Sequence, residues 1–282
     1  NENGRLDRNF LGIPSEPIAF SNGYEPRGPP VFHRARITLE ESQSVDIEMA
    51  LRRTLGKRGR LGLGIGVIGR SSPYAGDGEA ASQVIPAATY VGDRFQILGP
   101  VAQFGIFGGP NLDLAVKAKY RIGAYDEDDS AALDGLGDRE DTLMAGLALK
   151  LEAPYGIDIE AQYLHDALDQ IGGGSAELQV NRTLPIRRTR LTPYIGIQWL
   201  ASDVANHDFG VPVAKATESR PAYDTGDVLQ PVAGLDGTLE VTEAIMVILQ
   251  VGVELLEDDV TDSPIVEDDV VFTGFAAITY LF

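Results

Sequence analysis

Read back from its end, the closing segment VVFTGFAAITYLF places Phe282, Tyr280, Ile278, Ala276, Gly274 and Phe272 at every second position. This period of two recurs along most of the chain. SVDIEMAL at 44–51 sets Val45, Ile47, Met49 and Leu51 against Asp46 and Glu48. RLGLGIGVIG at 60–69 sets Leu61, Leu63, Ile65 and Val67 against Gly62, Gly64 and Gly66, where bulk would crowd an enclosed space. NLDLAVKAKYRIG at 111–123 and IDIEAQYLHDAL at 157–168 do the same with charges on the second face. Alternation of this kind specifies strands with one apolar and one polar face. About eleven or twelve such runs are present, most near ten residues, the length that crosses a bilayer at a tilt.

Two architectures satisfy alternating strands. A soluble sandwich turns its apolar faces inward; a transmembrane barrel turns them to lipid and keeps a polar lumen. The connections decide between them. Short turns (GD at 92–93, GGPN at 108–111, PYG at 154–156, RR at 187–188) alternate with long polar loops at 125–141, 202–227 and 257–269. Short turns at one end and long loops at the other are the layout of outer-membrane barrels. Tyr120, Tyr125, Tyr155, Tyr163, Tyr194, Tyr280, Trp199 and Phe282 are expected to supply interfacial girdles, ordinary core aromatics being the alternative.

A closed barrel also accounts for the terminal aromatic. Every backbone group is paired, so the last strand ends in lipid without a free edge. Phe282, Tyr280 and Ile278 form an outward face expected to act as the assembly signal read by the barrel assembly machinery. Strand number should be even. Counting from Leu61 gives eleven; adding 45–55, joined through GKRG, makes twelve, the alternative being that 45–55 closes the domain before it and the missing strand lies elsewhere, first of all in RFQILGPVAQFGIFG at 94–108, which is longer than one crossing needs.

The remaining composition sets limits. The longest apolar run, AIMVIL at 244–249, is far short of the roughly 18 residues of a membrane helix. No cysteine is present, so disulfides and thiolate metal sites are excluded. A formal net charge of −19 repels phosphate and argues against nucleic acid as a partner. The first residue falls inside a polar motif, and the chain reads as mature or truncated.

Several stretches together carry a family resemblance: GLGIGVIGRSSPYAG, VIPAATYVGDRFQILGPVAQFGI, LDGLGDREDTLMAGL, LTPYIGIQWLASD, NHDFGVPVAKATESRPAYDTGD and VTDSPIVEDD. Their order resembles the MipA/OmpV family of outer-membrane proteins from about Arg60 to Phe282. The resemblance implies a barrel in the outer membrane of a Gram-negative bacterium. It further implies a scaffolding role joining a lytic transglycosylase to a peptidoglycan synthase, with other members linked to osmotic response, adhesion or antibiotic uptake. NENGRLDRNFLGIPSEPIAFSNGYEPRGPPVFHRARITL resembles the C-terminal part of a family of secreted bacterial β-sandwich domains of unknown function. The expected organisation is an all-β chain. Residues 1–55 are the incomplete C-terminal part of a periplasmic β-sandwich, and 56–282 form a transmembrane antiparallel β-barrel of about 10–12 strands.

Candidate chemistry is sparse. Asn1, Asn3 and Asp7 in NENGRLD resemble a calcium loop, but the bidentate Glu is missing, and a plain Asx/Gly turn is the alternative. The acidic runs Asp126–Asp129 and Glu267–Asp269 suit divalent cations near lipopolysaccharide phosphates, or simply solvated loops. His33, His165 and His207 share no ligand spacing, and no G-x-S-x-G is present, so catalysis and resident cofactors are not expected. Lys117, Lys119 and Arg121 are expected in the lumen facing Asp158 and Glu160, filling it rather than lining an open path. Arg187 and Arg188 are the candidate periplasmic contacts. The expected role is a scaffold for peptidoglycan enzymes, with a narrow solute channel as the alternative.

Overall fold

In a computed structural model the last strand closes on the first. The structure describes residues 17–23, 35–38, 44–49, 51, 60–76, 79–92, 94–108 and 111–282. Its strands are β1 (Arg60–Arg70), β2 (Ala81–Val91), β3 (Phe95–Leu98), β4 (Val101–Gly108), β5 (Leu112–Arg121), β6 (Thr142–Ala153), β7 (Ile157–Asp166), β8 (Gly174–Asn181), β9 (Leu184–Ile186), β10 (Thr189–Leu200), β11 (Val228–Glu240), β12 (Ile245–Leu255) and β13 (Val270–Leu281). Each pairs antiparallel with its neighbours, and β13 pairs with β1 from Gly62–Leu281 to Arg70–Thr273. β8 and β9 both lie along β10 and act as one interrupted strand, so the closed wall has twelve strands.

Cross-strand partners share a face, which sorts the wall into inside and outside. The pairs Leu63–Tyr280 and Ile65–Ile278 point out, and Ile65 and Ile278 are 57% and 50% exposed. Leu147, Leu149, Leu151, Ile195, Ile197, Leu249, Val251 and Phe272 continue this apolar exterior. A water-exposed surface of that composition would forfeit about 25 cal/mol per Å² of apolar area. In lipid it is the stable outer face of a transmembrane barrel. Among the described residues no helix is long and apolar enough to cross a membrane, so the crossing is made by strands.

The inward glycines of β1 have a geometric reason. A Cβ on Gly64 would stand 1.8 Å from the Ile278 carbonyl oxygen, and one on Gly66 would strike the Phe275 ring at 2.7 Å. The seam closes only because this face is bare.

The connections follow the alternation. One rim carries the turns after β2, β4, β6, β9 and β11; the other carries the loops at 71–80, 122–141, 167–173, 201–227 and 256–269. By the usual orientation the turn rim is periplasmic and the loop rim extracellular.

Three expectations are corrected. Residues 44–49 and 51 carry no strand, because β13 already occupies the free side of β1. The twelfth strand instead comes from 94–108, which folds back at Gly99–Pro100 into the short β3–β4 hairpin. Of the predicted girdle, Tyr125 is buried among the extracellular loops and Tyr194 lines the lumen; Tyr163 and Tyr280 are exposed on the outer face.

Candidate functional site

The extracellular mouth is covered by a cap built around α1 (Ser202–Phe209). A helix leaves its last carbonyls without internal partners. Here the first is taken by the C-cap residue and the other three by side chains arriving from elsewhere. Gly210 N–H donates to Asn206 O (3.0 Å), Arg139 Nε to His207 O, Tyr74 Oη to Asp208 O (3.1 Å) and Ser263 Oγ to Phe209 O (2.6 Å). The helix thus fastens the loops 71–80, 122–141 and 256–269 together. Its apolar side packs Val204, Ala205 and Phe209 into a core with Tyr74, Tyr125, Leu133, Val260 and Ile265. Arg220 extends the fastening, donating to Ala132 O (2.7 Å) and Asp134 O (2.8 Å). Burial pushes the Tyr125 phenol up to about 12 and raises Tyr74 further.

Below the cap, Asp208 ties it to the wall. Its carboxylate is 1% exposed and meets Arg121 Nη2, Arg70 Nη1 (3.3 Å) and His207 Nδ1 (3.1 Å). Burial opposes this charge; Arg121, His207 and Arg70 outweigh burial and hold the carboxyl well below the usual carboxylate range. The sequence gives no hint of this pairing, because 202–209 reads as part of a polar loop.

The lumen beneath contains a cavity of about 260 Å³, roofed by Val204 and Asp208. Ile68 and Phe275 make one side apolar, while Lys117, Lys119, Glu177, Tyr194 and Asp236 make the other polar. A second cavity of about 170 Å³ shares Lys117, Gln179, Tyr194 and Asp236 with the first and extends past Glu160 and Asn181. Glu160 accepts from Asn181 Nδ2 (2.9 Å) and Gln179 Nε2 (3.2 Å).

The predicted residues separate into groups. Lys117, Lys119 and Arg121 lie on one inward face of β5, but Arg121 turns to Asp208. Asp158 is on β7 with Glu160 and pairs with Lys150 at 3.1 Å. Arg187 and Arg188 form the β9–β10 turn, where Arg188 Nη1 reaches Val241 O (3.3 Å) and Arg187 adopts a left-handed φ of 56°. Ile278, Tyr280 and Phe282 face outward, with Tyr280 and Phe282 in edge-to-face contact. Asn1, Asn3 and Asp7 lie outside the described residues. The acidic runs brace loops: Asp129 accepts from Asp126 N–H (2.9 Å), Glu127 from Gly137 N–H (3.0 Å) and Glu267 from Gly76 N–H (3.3 Å). Among the described residues no group of three potential ligands is placed to hold a metal.

Comparison with known proteins agrees with this architecture. The family model described as MltA-interacting protein MipA matches residues 63–282. A second model, for uncharacterised proteins conserved in bacteria (DUF2141), matches residues 1–48. The chain is 26% identical over 225 residues to the putative outer membrane protein YiaT of Escherichia coli K12, covering 79% of this chain and 91% of that protein. It is 27% identical over 227 residues to the MltA-interacting protein of the same strain, covering 79% and 89%. Among solved structures, the NanC porin aligns over 78% of this chain and 98% of its own, with a TM-score of 0.37 and 11% identity. The barrel is an outer-membrane barrel, and the chain belongs to the MltA-interacting protein family.

Proposed function

We propose that this barrel is a non-catalytic scaffold that docks a lytic transglycosylase at the periplasmic rim and joins it to a peptidoglycan synthase. The observation that carries this reading is the family match across 63–282, whose description names an interaction with MltA. The rim fits the role. Its turns are short, and Arg187 and Arg188 stand exposed on one of them. In this reading the N-terminal segment is periplasmic and adds to the same face. Lipopolysaccharide surrounds the loop rim, and the assembly machinery reads the Ile278–Tyr280–Phe282 face.

Co-purification tests the scaffold. The detergent-extracted full chain is expected to capture MltA, and Arg187→Glu with Arg188→Glu to reduce capture about tenfold, a change of about 1.4 kcal/mol. The gel mobility shift on boiling should be unchanged in the variant. No capture by the unaltered chain would overturn the reading; equal capture by the variant would move the contact off this turn.

The two adjoining lumen cavities favour a second reading, a narrow channel for small solutes. Single-channel conductance in planar bilayers separates the two: discrete steps would support conduction, and a silent bilayer holding folded protein would exclude it.

A further inference from the structure

The barrel wall is interrupted beside β2. β3 pairs only with its last residues, in the register Thr89–Leu98, Tyr90–Ile97 and Val91–Gln96. The β3–β4 turn then ends the hairpin: Gly99 N–H donates to Ala88 O (3.2 Å), and Tyr120 N–H to Pro100 O (2.9 Å). From residue 87 up to 81, β2 is paired with β1 alone. In an antiparallel ladder the N–H and C=O of one residue point to the same neighbour, and successive residues alternate. Ala88 points to the hairpin, so Pro86, Val84 and Ser82 point to the unpaired side. Position 86 is the proline, which has no N–H to leave without a partner in lipid. Ser82, Gln83 and Val84 are all exposed in succession, as expected of a strand with a free edge.

One contact shows that the gap passes through the wall. Gln83 shares the inward face with Ile68, whereas Tyr120 lies on the outward face of β5, opposite in alternation to Lys119 and Arg121. Yet Tyr120 Oη, which donates its proton to the Asp141 carboxylate, stands 2.7 Å from the Gln83 side-chain amide. Tyr120, outward by alternation, also lines the lumen cavity, which places the gap in communication with the interior. Its upper border is closed where Glu79 N–H reaches Asp129 O (3.4 Å) and the Ser130 hydroxyl reaches Ala75 O. Inside, the 260 Å³ cavity reaches Pro100, Val101 and Tyr120 at the lower border, where the β3–β4 turn ends. The cap covers this cavity from above through Val204 and Asp208.

The chemistry around it is divided. Ile68 and Phe275 offer apolar surface, while Lys119 is exposed to the cavity and Arg121 Nη1 is buried with no acceptor among the described residues. The acids Glu177 and Asp236 line the same cavity from β8 and β11, Glu254 stands 3.9 Å from Arg70, and Asp141 lies against Tyr120 at the opening. We propose that the opening is a lateral portal through which a single-chain amphiphile with an anionic head moves between the lumen and the surrounding lipid. Lys119 and Arg121 hold the head, and Ile68 and Phe275 hold the start of the chain. The cavity is smaller than a drug-sized pocket, so the rest of the chain lies in the opening. The Tyr120–Gln83 contact crosses the portal as its latch. This holds whether or not the periplasmic rim docks an enzyme.

The full chain, reconstituted in phosphatidylcholine vesicles, is titrated with 11-(dansylamino)undecanoic acid. Saturable binding is expected, at least about tenfold weaker in Lys119→Gln, as for loss of one charge-assisted hydrogen bond. The chain has no cysteine, so Gln83→Cys with Tyr120→Cys carries the only two thiols. Bridging them with a bis-methanethiosulfonate is expected to slow release of the probe into lipid about tenfold, and reductant to restore it. The heat-dependent gel shift confirms that each variant is folded. Absence of saturable binding, or an unchanged release rate in the bridged protein, overturns the portal. Unchanged affinity in Lys119→Gln overturns the anionic head.

Discussion

Asp208 and Arg121 stand 87 residues apart in sequence and in direct ion-pair contact in the structure. One ends the cap helix, the other ends a strand of the wall, and with Arg70 they form the joint between the two. Removing one member of a buried pair leaves the others charged and unpartnered, at about 3–5 kcal/mol. Asp208→Asn should therefore loosen the cap before the wall. Limited proteolysis of intact cells or vesicles checks this: cleavage within 202–227 should rise sharply while the boiled-against-unboiled gel shift persists.

The same carboxylate sets a pH dependence. Its folded pKa is depressed, so its contribution is complete above the unfolded value of about 4 and is lost as pH falls below that. The thermal midpoint of the cap should fall from pH 5 towards pH 3 in the unaltered protein. In Asp208→Asn it should start lower and change less. Parallel curves for the two proteins would assign the acid sensitivity elsewhere.

Gly64→Ala tests the seam. The added methyl would meet the backbone oxygen of Ile278, which cannot turn away as a side chain would. Overpacking of this kind costs about 1–3 kcal/mol. The yield of heat-shifted barrel on refolding should drop severalfold, and Gly226→Ala, with nothing near its Cβ but a φ of +63°, should affect a loop only.

Phe282→Ala should slow outer-membrane assembly without altering the interior. The side chain is 73% exposed on the lipid face, and the backbone bond from Phe282 N–H to Leu61 O (2.9 Å) survives the substitution. Pulse-chase accumulation of the heat-shifted form measures the rate; normal accumulation would remove any signalling role from this ring.

Asp166→Ala should release the 167–173 loop. The carboxylate accepts from the Thr142 hydroxyl and from the N–H groups of Leu168 (3.1 Å), Ile171 and Gly172 (3.1 Å). The buried Thr142 hydroxyl left unsatisfied costs about 1–3 kcal/mol, and the loop N–H groups, open to water, less. Faster amide hydrogen exchange at Ile171 and Gly172 is the expected result.

What sequence reveals here depends on range. The outward order of Phe272 to Phe282, the bare face of β1 and the alternation of turns and loops follow from a period of two, which is local and easily read. The β3–β4 hairpin is half legible: 94–108 is too long for one crossing, but Gly99–Pro100 sits in a mostly apolar stretch with no polar residue beside it to mark the turn. Tyr125 and Tyr194 share a residue type with Tyr163 and Tyr280, and only the register shows that they do not face lipid. Asp208 with Arg121 and Arg70, like Tyr120 with Gln83, joins segments far apart in the chain, and no spacing rule connects them.

The β1–β13 seam makes the two ends of the barrel domain a single joint. Gly62 lies beside Leu281, so the loop that must close is nearly the whole domain, and its entropy is repaid only when the last strand docks. Until that moment β1 and β12 are both raw edges, open to pairing with any stray strand. A cell making this protein therefore faces its greatest exposure of strand edges just before closure, the step at which protection from stray pairing matters most.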